Sequence, residues 1–245
     1  MDTDEAHLPL AQVGVAFRVE CHDATNEFLF NQSLRRGGAD GMVPRNTDLG
    51  ISWEGFDTHL SWTREPTPFL SFFRSWDKAM VWRQHLIERG GANVMILALW
   101  LEGKSRIYDA YAIAQGLGYQ FRSPDPRRRL EHHEEEILLH GSIVTDEYRI
   151  MACFKGDNLE IRHFMLPFPV NPAVFHPCRF PADTLLSTND PLEWLEDEMV
   201  SLTGVMDQVK LCVLLHAVAG IRSRLLRLEG VDIVQTSQHT YAFAQ

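Results

Sequence analysis

Apolar positions recur along this chain with a period of two in some stretches and of three to four in others, and the changes of period mark its elements. Val13 to Val19 reads as a first strand with Arg18 near its end. Residues 31–66, rich in Gly, Arg, Asn, Asp and Pro, read mostly as loop. Thr67 to Phe73 is a short strand. Asp77 to Arg89 reads as a helix, with Trp76, Met80, Val81, Leu86 and Ile87 roughly on one face and Gly90-Gly91 ending it. Asn93 to Trp100 is a continuous apolar strand of the kind buried on both faces. Asp109 to Leu117 is a short helix closed by Gly118, and residues 121–133 form a polar loop punctuated by proline. Glu136 to Leu139, Tyr148 to Phe154 and Leu159 to Phe164 are further strands, the last two joined at Gly156-Asp157-Asn158.

The texture changes after Pro167. Five prolines between Pro167 and Pro181 make an extended arm. Asp190-Pro191 then starts a helix with proline near its first position. Residues 206–228 predict a second helix, apolar at Val209, Cys212, Val213, Ala217, Ile221 and Leu225, and Val231 to Val234 a returning strand. The expected organisation is a domain over 1–167, a Pro-rich linker or arm over 168–190, and a helical extension over 191–245 packed on the domain.

Composition narrows the function classes. With 245 residues, 45% of them hydrophobic, the chain can bury one good core or two small ones. A net charge of −10 makes it a poor general binder of nucleic acid or anionic membrane, although a local basic patch can act. No apolar run reaches transmembrane length. Met1 to Glu5 is acidic and lacks the basic start and apolar core of a secretory signal, so a cytoplasmic protein is expected. Cys21, Cys153, Cys178 and Cys212 lie far apart with no CxxC pair, which argues against a disulfide framework or zinc ribbon.

The chemistry-bearing stretch is Glu134-Glu135-Glu136-Ile137-Leu138-Leu139-His140-Gly141-Ser142. On a strand, residues two apart share a face, so Glu134 and Glu136 are expected to point into one space and to push their proton affinities apart. The competing reading is a solvated acidic run. His132 and His133 lack HExxH spacing, and adjacent strand residues point to opposite faces, so no metal is expected. No GxGxxG, Walker or GxSxG pattern occurs.

Three motifs in order, Phe17-Arg18-Val19, Phe69-Leu70-Ser71 and Glu134-Glu135-Glu136, resemble the active-site frame of the ADP-ribosyltransferase superfamily, in the group marked by Arg, Ser-Thr-Ser and Glu-x-Glu. The resemblance covers about residues 13–165, and the same pattern is similar to fungal domains of unassigned function. It implies an α+β fold of two packed, mainly antiparallel sheets with flanking helices, with NAD bound as substrate between them and the C-terminal helices added outside. It further implies that Glu136 binds the 2′-hydroxyl of the nicotinamide ribose and stabilises an oxocarbenium-like transition state, that Glu134 orients the acceptor, and that Ser71 braces Glu136. Arg18 then holds NAD on the phosphate or nicotinamide-ribose side. The basic loop over 121–133 takes the place of the acceptor-recognition turn. Phe72 and Phe73 stand where the family keeps Thr and Ser; they are assigned to stacking on nicotinamide, with core packing as the alternative.

The function so implied is mono-ADP-ribosyl transfer to a protein or other acceptor, for instance an arginine, with release of nicotinamide. With water as acceptor the same residues make an NAD glycohydrolase. The eroded Ser-Thr-Ser motif and the long amphipathic helix support the rival expectation, a non-catalytic binding or regulatory module.

Overall fold

The computed structural model describes residues 8–11, 13–21, 33, 41–63, 65–91, 94–101, 103–144, 147–154, 162–165, 199–200, 206, 211, 232–237 and 240–244. The first half of the chain builds β1 (Val15–Cys21), β2 (Gly41–Met42), α1 (Trp53–Leu60), β3 (Phe69–Phe73), α2 (Trp76–Glu88), β4 (Val94–Trp100), β5 (Ile107–Asp109) and α3 (Ala110–Gly116). Two 3-10 turns, Pro126–Arg128 and Leu130–His133, lead into β6 (Glu136–His140) and β7 (Ile143–Val144). Strands β8 (Arg149–Phe154), β9 (Arg162–Met165), β10 (Asp232–Ser237) and β11 (Thr240–Ala244) follow.

Among the described residues nine strands form one sheet in the order β10-β11-β9-β8-β4-β1-β3-β6-β5, and β2 pairs with β7 in a separate ribbon. Every pairing is antiparallel. The α+β class is as expected. The mainly antiparallel strands and the flanking helices are as expected too, and among the described residues the second sheet is the two-stranded ribbon of β2 and β7. The expected C-terminal helices fall almost wholly outside the described residues. Of the described tail, residues 199, 200 and 211 are helical, and β10 and β11 are strand, β11 pairing with β9 and so joining the same sheet. That segment, 168–190, also lies outside the described residues.

The period-two pattern decides which side of the sheet each residue serves. Ala16, Leu70, Phe72, Leu97, Leu99, Ile137 and Leu139 face one side and pack with Met42 and Ile143 of the ribbon. Phe69 and Leu138 face the other, against Phe56 and Leu60 of α1 and Ala110, Ile113 and Ala114 of α3. Helix α2 covers β1 on that second side, where Trp76 meets Phe17 edge to face at 6.0 Å.

Helix α1 corrects the expectation of loop over 31–66. Gly55, Asp57 and Thr58 are poor helix formers, which hides the element in the sequence. Ser52 nevertheless caps it by accepting from the Gly55 amide at 3.0 Å, and Phe56 and Leu60, four apart, anchor it in the core.

The sheet narrows between β1 and β3, which share a single residue pair, Phe17 with Phe73. Beyond it the strands part, and the carbonyl of Ser71 needs another donor. Arg18 supplies it: its Nη1 donates to that carbonyl at 2.6 Å. Its Nε donates to Glu20 Oε1 at 2.6 Å and to Ser33 Oγ at 2.9 Å, and the guanidinium lies 5.4 Å from the Phe72 ring centroid. Arg18 and Glu20 are each only 2% exposed. Removing one partner of such a buried pair strands the other charge in a dry interior. Arg18→Met is therefore expected to cost about 3–5 kcal/mol in urea unfolding, and a second change, Glu20→Leu, to recover most of it. A double variant no more stable than the single one counts against this account.

Candidate active site

A cleft opens on the face of β3 and β6 that carries α1. Glu136, Ser71, Thr67, His59, Phe69, Phe73 and Leu86 line its inner part. Trp62, Trp82 and His132 form an aromatic wall, and Arg18, Arg45, Arg89 and Glu65 are among the remaining lining residues. Its volume is about 190 Å³. An apolar cavity of about 150 Å³ takes one benzene ring, so the cleft has room for a single heteroaromatic ring, with larger ligands extending out over the rim.

The strand register sets the chemistry. Phe73 pairs with Glu136 and Ser71 with Leu138 across β3 and β6, and alternation sends Ser71, Phe73, Glu136 and Leu138 to one face. Glu136 is 7% exposed. Its Oε2 is 2.7 Å from His133 Nδ1. His59 Nε2 lies 2.8 Å from Ser71 Oγ, and His59 Nδ1 lies 2.5 Å from Thr67 Oγ1. Burial, the strongest single influence, pushes the Glu136 carboxyl up. The hydrogen bond and charge of His133, the His59 charge and the Ser71 hydroxyl together outweigh it and hold the carboxyl below the usual range. Burial brings His59 down to about 4, with Arg45, Arg18 and His133 acting in the same direction and Glu136 opposing. His59 is thus neutral near pH 7, and the hold on the carboxylate there rests on His133 and Ser71.

The wall is a stack. Trp62, with φ at 51°, sits in the left-handed region and leaves its ring 42% exposed. The ring stacks on His132 at 5.0 Å and 13° and meets Trp82 at 5.6 Å. His133 is fully buried behind it, edge-on to both Trp62 and Tyr119. The 3-10 turn just before the one that carries both histidines is tied to α1 by Arg128, which pairs with Asp57 at 2.5 Å, while Tyr119 donates to the other Asp57 oxygen at 3.0 Å. The basic loop therefore spends one of its arginines on structure.

Of the residues expected from sequence, the fold brings Arg18, Ser71, Phe73 and Glu136 to one cleft. Two stand elsewhere. Phe72 turns to the opposite side of the sheet and is fully buried in the core there, so it takes the packing alternative. Glu134 is exposed and does not line the cleft. It precedes the strand, and Glu135 between it and Glu136 has a φ of 61°, so strand alternation does not apply to the pair. Glu135 is held in that turn by Arg74, whose amide donates to its carbonyl at 2.8 Å, and by the Ser75 hydroxyl on its carboxylate. Arg18 reaches the cleft with its guanidinium committed to Glu20, Ser33 and the Ser71 carbonyl. His132 and His133 lie on a turn and not on a strand, which lets both serve one site. Sequence reading missed His59, Thr67, Trp62, Trp82 and the Arg45 and Arg89 rim. The cap at Ser52 and the Phe56/Leu60 spacing were the signals that would have found His59. Among the described residues no group of three or more His, Cys, Asp or Glu side chains is placed to hold a metal ion.

Fold and cleft together define an antiparallel α+β domain with a buried carboxylate beneath an aromatic wall. The chain belongs to the family described as a domain of unknown function (DUF7587), which matches residues 15–151. No curated protein matches the chain. No helix among the described residues is long and apolar enough to cross a membrane.

The low proton affinity of His59 has a sign in stability. Unfolded, its imidazole returns to about 6.5 and binds protons that the folded state refuses. Its contribution is complete above that value and is lost as pH falls toward about 4. Urea unfolding at pH 7 and at about pH 4.5 is expected to show a loss of ~2 kcal/mol from this group, absent in His59→Gln, whose amide does not titrate. An equal loss in both proteins means that His59 does not carry it.

Proposed function

We propose that this chain is an NAD-dependent mono-ADP-ribosyltransferase, transferring ADP-ribose to a protein or other acceptor with release of nicotinamide. The observation that carries the reading is the buried Glu136 carboxylate, kept ionised by His133 and Ser71 at the foot of a cleft of one-ring size. Positive charge develops on the ribose anomeric carbon as the bond to nicotinamide breaks and its electron pair leaves with the base. A carboxylate already fixed and desolvated stabilises that charge without reorganising. The stacked wall of Trp62, His132 and Trp82 suits a flat heteroaromatic ring, and Arg45 and Arg89 suit the phosphates beyond it. The acceptor then donates a lone pair to the anomeric carbon and loses its proton. Where water is the acceptor, the product is free ADP-ribose.

Nicotinamide release from NAD, followed by proton NMR, tests the reading. Glu136→Gln is expected to lower release on the order of 10²- to 10³-fold with folding retained. Glu134→Gln, exposed and outside the cleft, is expected to leave release within about twofold. Release that does not depend on Glu136 ends the proposal.

A second reading is a non-catalytic binding module, and the commitment of Arg18 favours it. A guanidinium that satisfies Glu20, Ser33 and a backbone carbonyl has little left for a phosphate. Thermal unfolding with millimolar NAD separates the two. A rise in Tm is expected if the cleft binds NAD, since only a ligand that prefers the native state stabilises it. No rise, together with no nicotinamide release, leaves the binding module.

A further inference from the structure

We propose that His133, which belongs to none of the three motifs, is the positioning residue of this cleft: its Nδ1–H fixes the Oε2 oxygen of Glu136, and its ring is too enclosed to carry a proton to or from a ligand. The contact is direct, at 2.7 Å. An ionised carboxylate only accepts, so the proton of this hydrogen bond belongs to the imidazole. A donor paired with a charged acceptor makes one of the stronger hydrogen bonds available to a side chain.

The rest of the ring has nowhere to send a proton. His133 is fully buried, and its Nε2 meets no hydrogen-bond partner among the described residues. The ring stands edge-on to Trp62 at 6.2 Å and to Tyr119 at 5.6 Å. Its neighbour His132 lines the cleft, whereas His133 does not. A general acid or base must come within hydrogen-bond reach of the group it serves, directly or through one water. His133 has that reach to Glu136, across the side of the carboxylate away from the cleft wall it helps to back. Its task is therefore to hold, and the carboxylate alone meets the ligand.

The backbone explains how the two side chains meet. On a continuous strand, residues three apart point to opposite faces. Here the chain does not run straight from one to the other. Leu130, at the start of the turn that carries His133, is buried against α1 and α3, and its amide donates to the Gln120 carbonyl at 3.2 Å. Glu136, at the start of β6, is paired with Phe73. Between these two fixed points Glu135 takes a φ of 61°, and the Arg74 amide holds its carbonyl at 2.8 Å. That left-handed residue brings the imidazole and the carboxylate face to face. A glutamate side chain left alone samples many rotamers; held at one oxygen it is fixed before any ligand arrives.

The effect on turnover rests on the reading of Glu136 as the reacting carboxylate, whereas the hydrogen bond is tested without it. Protein labelled with ¹⁵N-histidine, with His133 assigned by its loss in His133→Phe, reports which nitrogen carries the proton. A buried N–H exchanges with solvent only when the structure opens. The wild type is expected to show an Nδ1–H signal for His133 that is protected from exchange and that moves upfield in Glu136→Gln, where the acceptor is no longer charged. A proton on Nε2 alone, rapid exchange, or a signal indifferent to Glu136→Gln overturns the proposal. His133→Phe keeps a ring between Trp62 and Tyr119 and removes the donor. In the nicotinamide-release assay its kcat is expected to fall on the order of 10- to 100-fold with KM little changed. His133→Asn, whose amide donates but does not titrate, is expected to recover most of that loss. An unchanged kcat in folded His133→Phe, or a folded His133→Asn as slow as His133→Phe, also overturns it. Should His133→Phe fail to fold, His133→Asn supplies the assignment and the wild-type signal decides. A wild type that releases no nicotinamide refutes the transferase reading and leaves the NMR result to decide on His133.

Discussion

One buried guanidinium ties the site to the sheet. Strands β1 and β3 must separate for a cleft to form beside β3, and separation exposes backbone groups that cannot stay unpaired in an apolar interior. Arg18 closes that gap from the side, donating to the Ser71 carbonyl while Glu20 and Ser33 balance its charge. Desolvating an ion costs several kcal/mol, and only this density of short contacts offsets it. The same contact fixes the Ser71 backbone, so the hydroxyl on the opposite side of that residue has a defined place to stand. The cleft is built around that placement, with the ring of His59 against the Ser71 hydroxyl and His133 on the Glu136 carboxylate.

Two residues near the carboxylate hold a backbone conformation that costs ordinary side chains about 1–2 kcal/mol. Trp62 and Glu135 both have positive φ, and neither is glycine. Trp62 gains an exposed ring laid flat on His132; Glu135 gains a sharp entry into β6 that starts the strand with Glu136 facing inward. Strain of this kind persists only where surrounding contacts over-determine it. Here the contacts are visible: Arg74 and Ser75 hold Glu135, and Trp82 with His132 holds Trp62. The conformations the chain resists are thus the ones that shape the cleft.

Much of this was legible in the sequence, and the failures have physical causes. Strands β1, β3, β4 and β6 and helices α2 and α3 stand where hydrophobic period and glycine stops put them, within two residues. Glu136 and Ser71 meet because β3 and β6 are neighbours, which motif order alone suggested. Alternation misled at Glu134 because a left-handed residue between two glutamates leaves no mark on composition. The same rule, applied to Arg18 and Glu20, reads correctly: two residues apart on one strand, opposite in charge, they pair. Helix α1 was hidden by its glycine, aspartate and threonine, and His59 was hidden with it. The aromatic wall could not be read at all, since Trp62, Trp82 and His132 come from three separate segments that only the packing of α1, α2 and the 3-10 turn brings together.

The position of the cleft within the sheet separates two parts of the chain. Every described residue that lines it, from Arg18 to His132 and Glu136, lies inside the span matched by the family, 15–151. Strands β9, β10 and β11 lie outside that span and join the sheet at the edge beyond β8. Between them and Glu136 stand β8, β4, β1 and β3, and along β1 and β4 residues of both faces, such as Ala16 and Phe17 or Leu97 and Ala98, are buried. In an antiparallel sheet each strand is held by its two neighbours and by the layers above and below, so an addition at the far edge reaches the site only through that stack. The three motif strands and α1 therefore carry these groups of the cleft: β1 supplies the guanidinium, β3 the hydroxyl, β6 the carboxylate and α1 the imidazole. The chemistry of the cleft belongs to the family's segment of the chain, and the later strands widen the sheet without entering it.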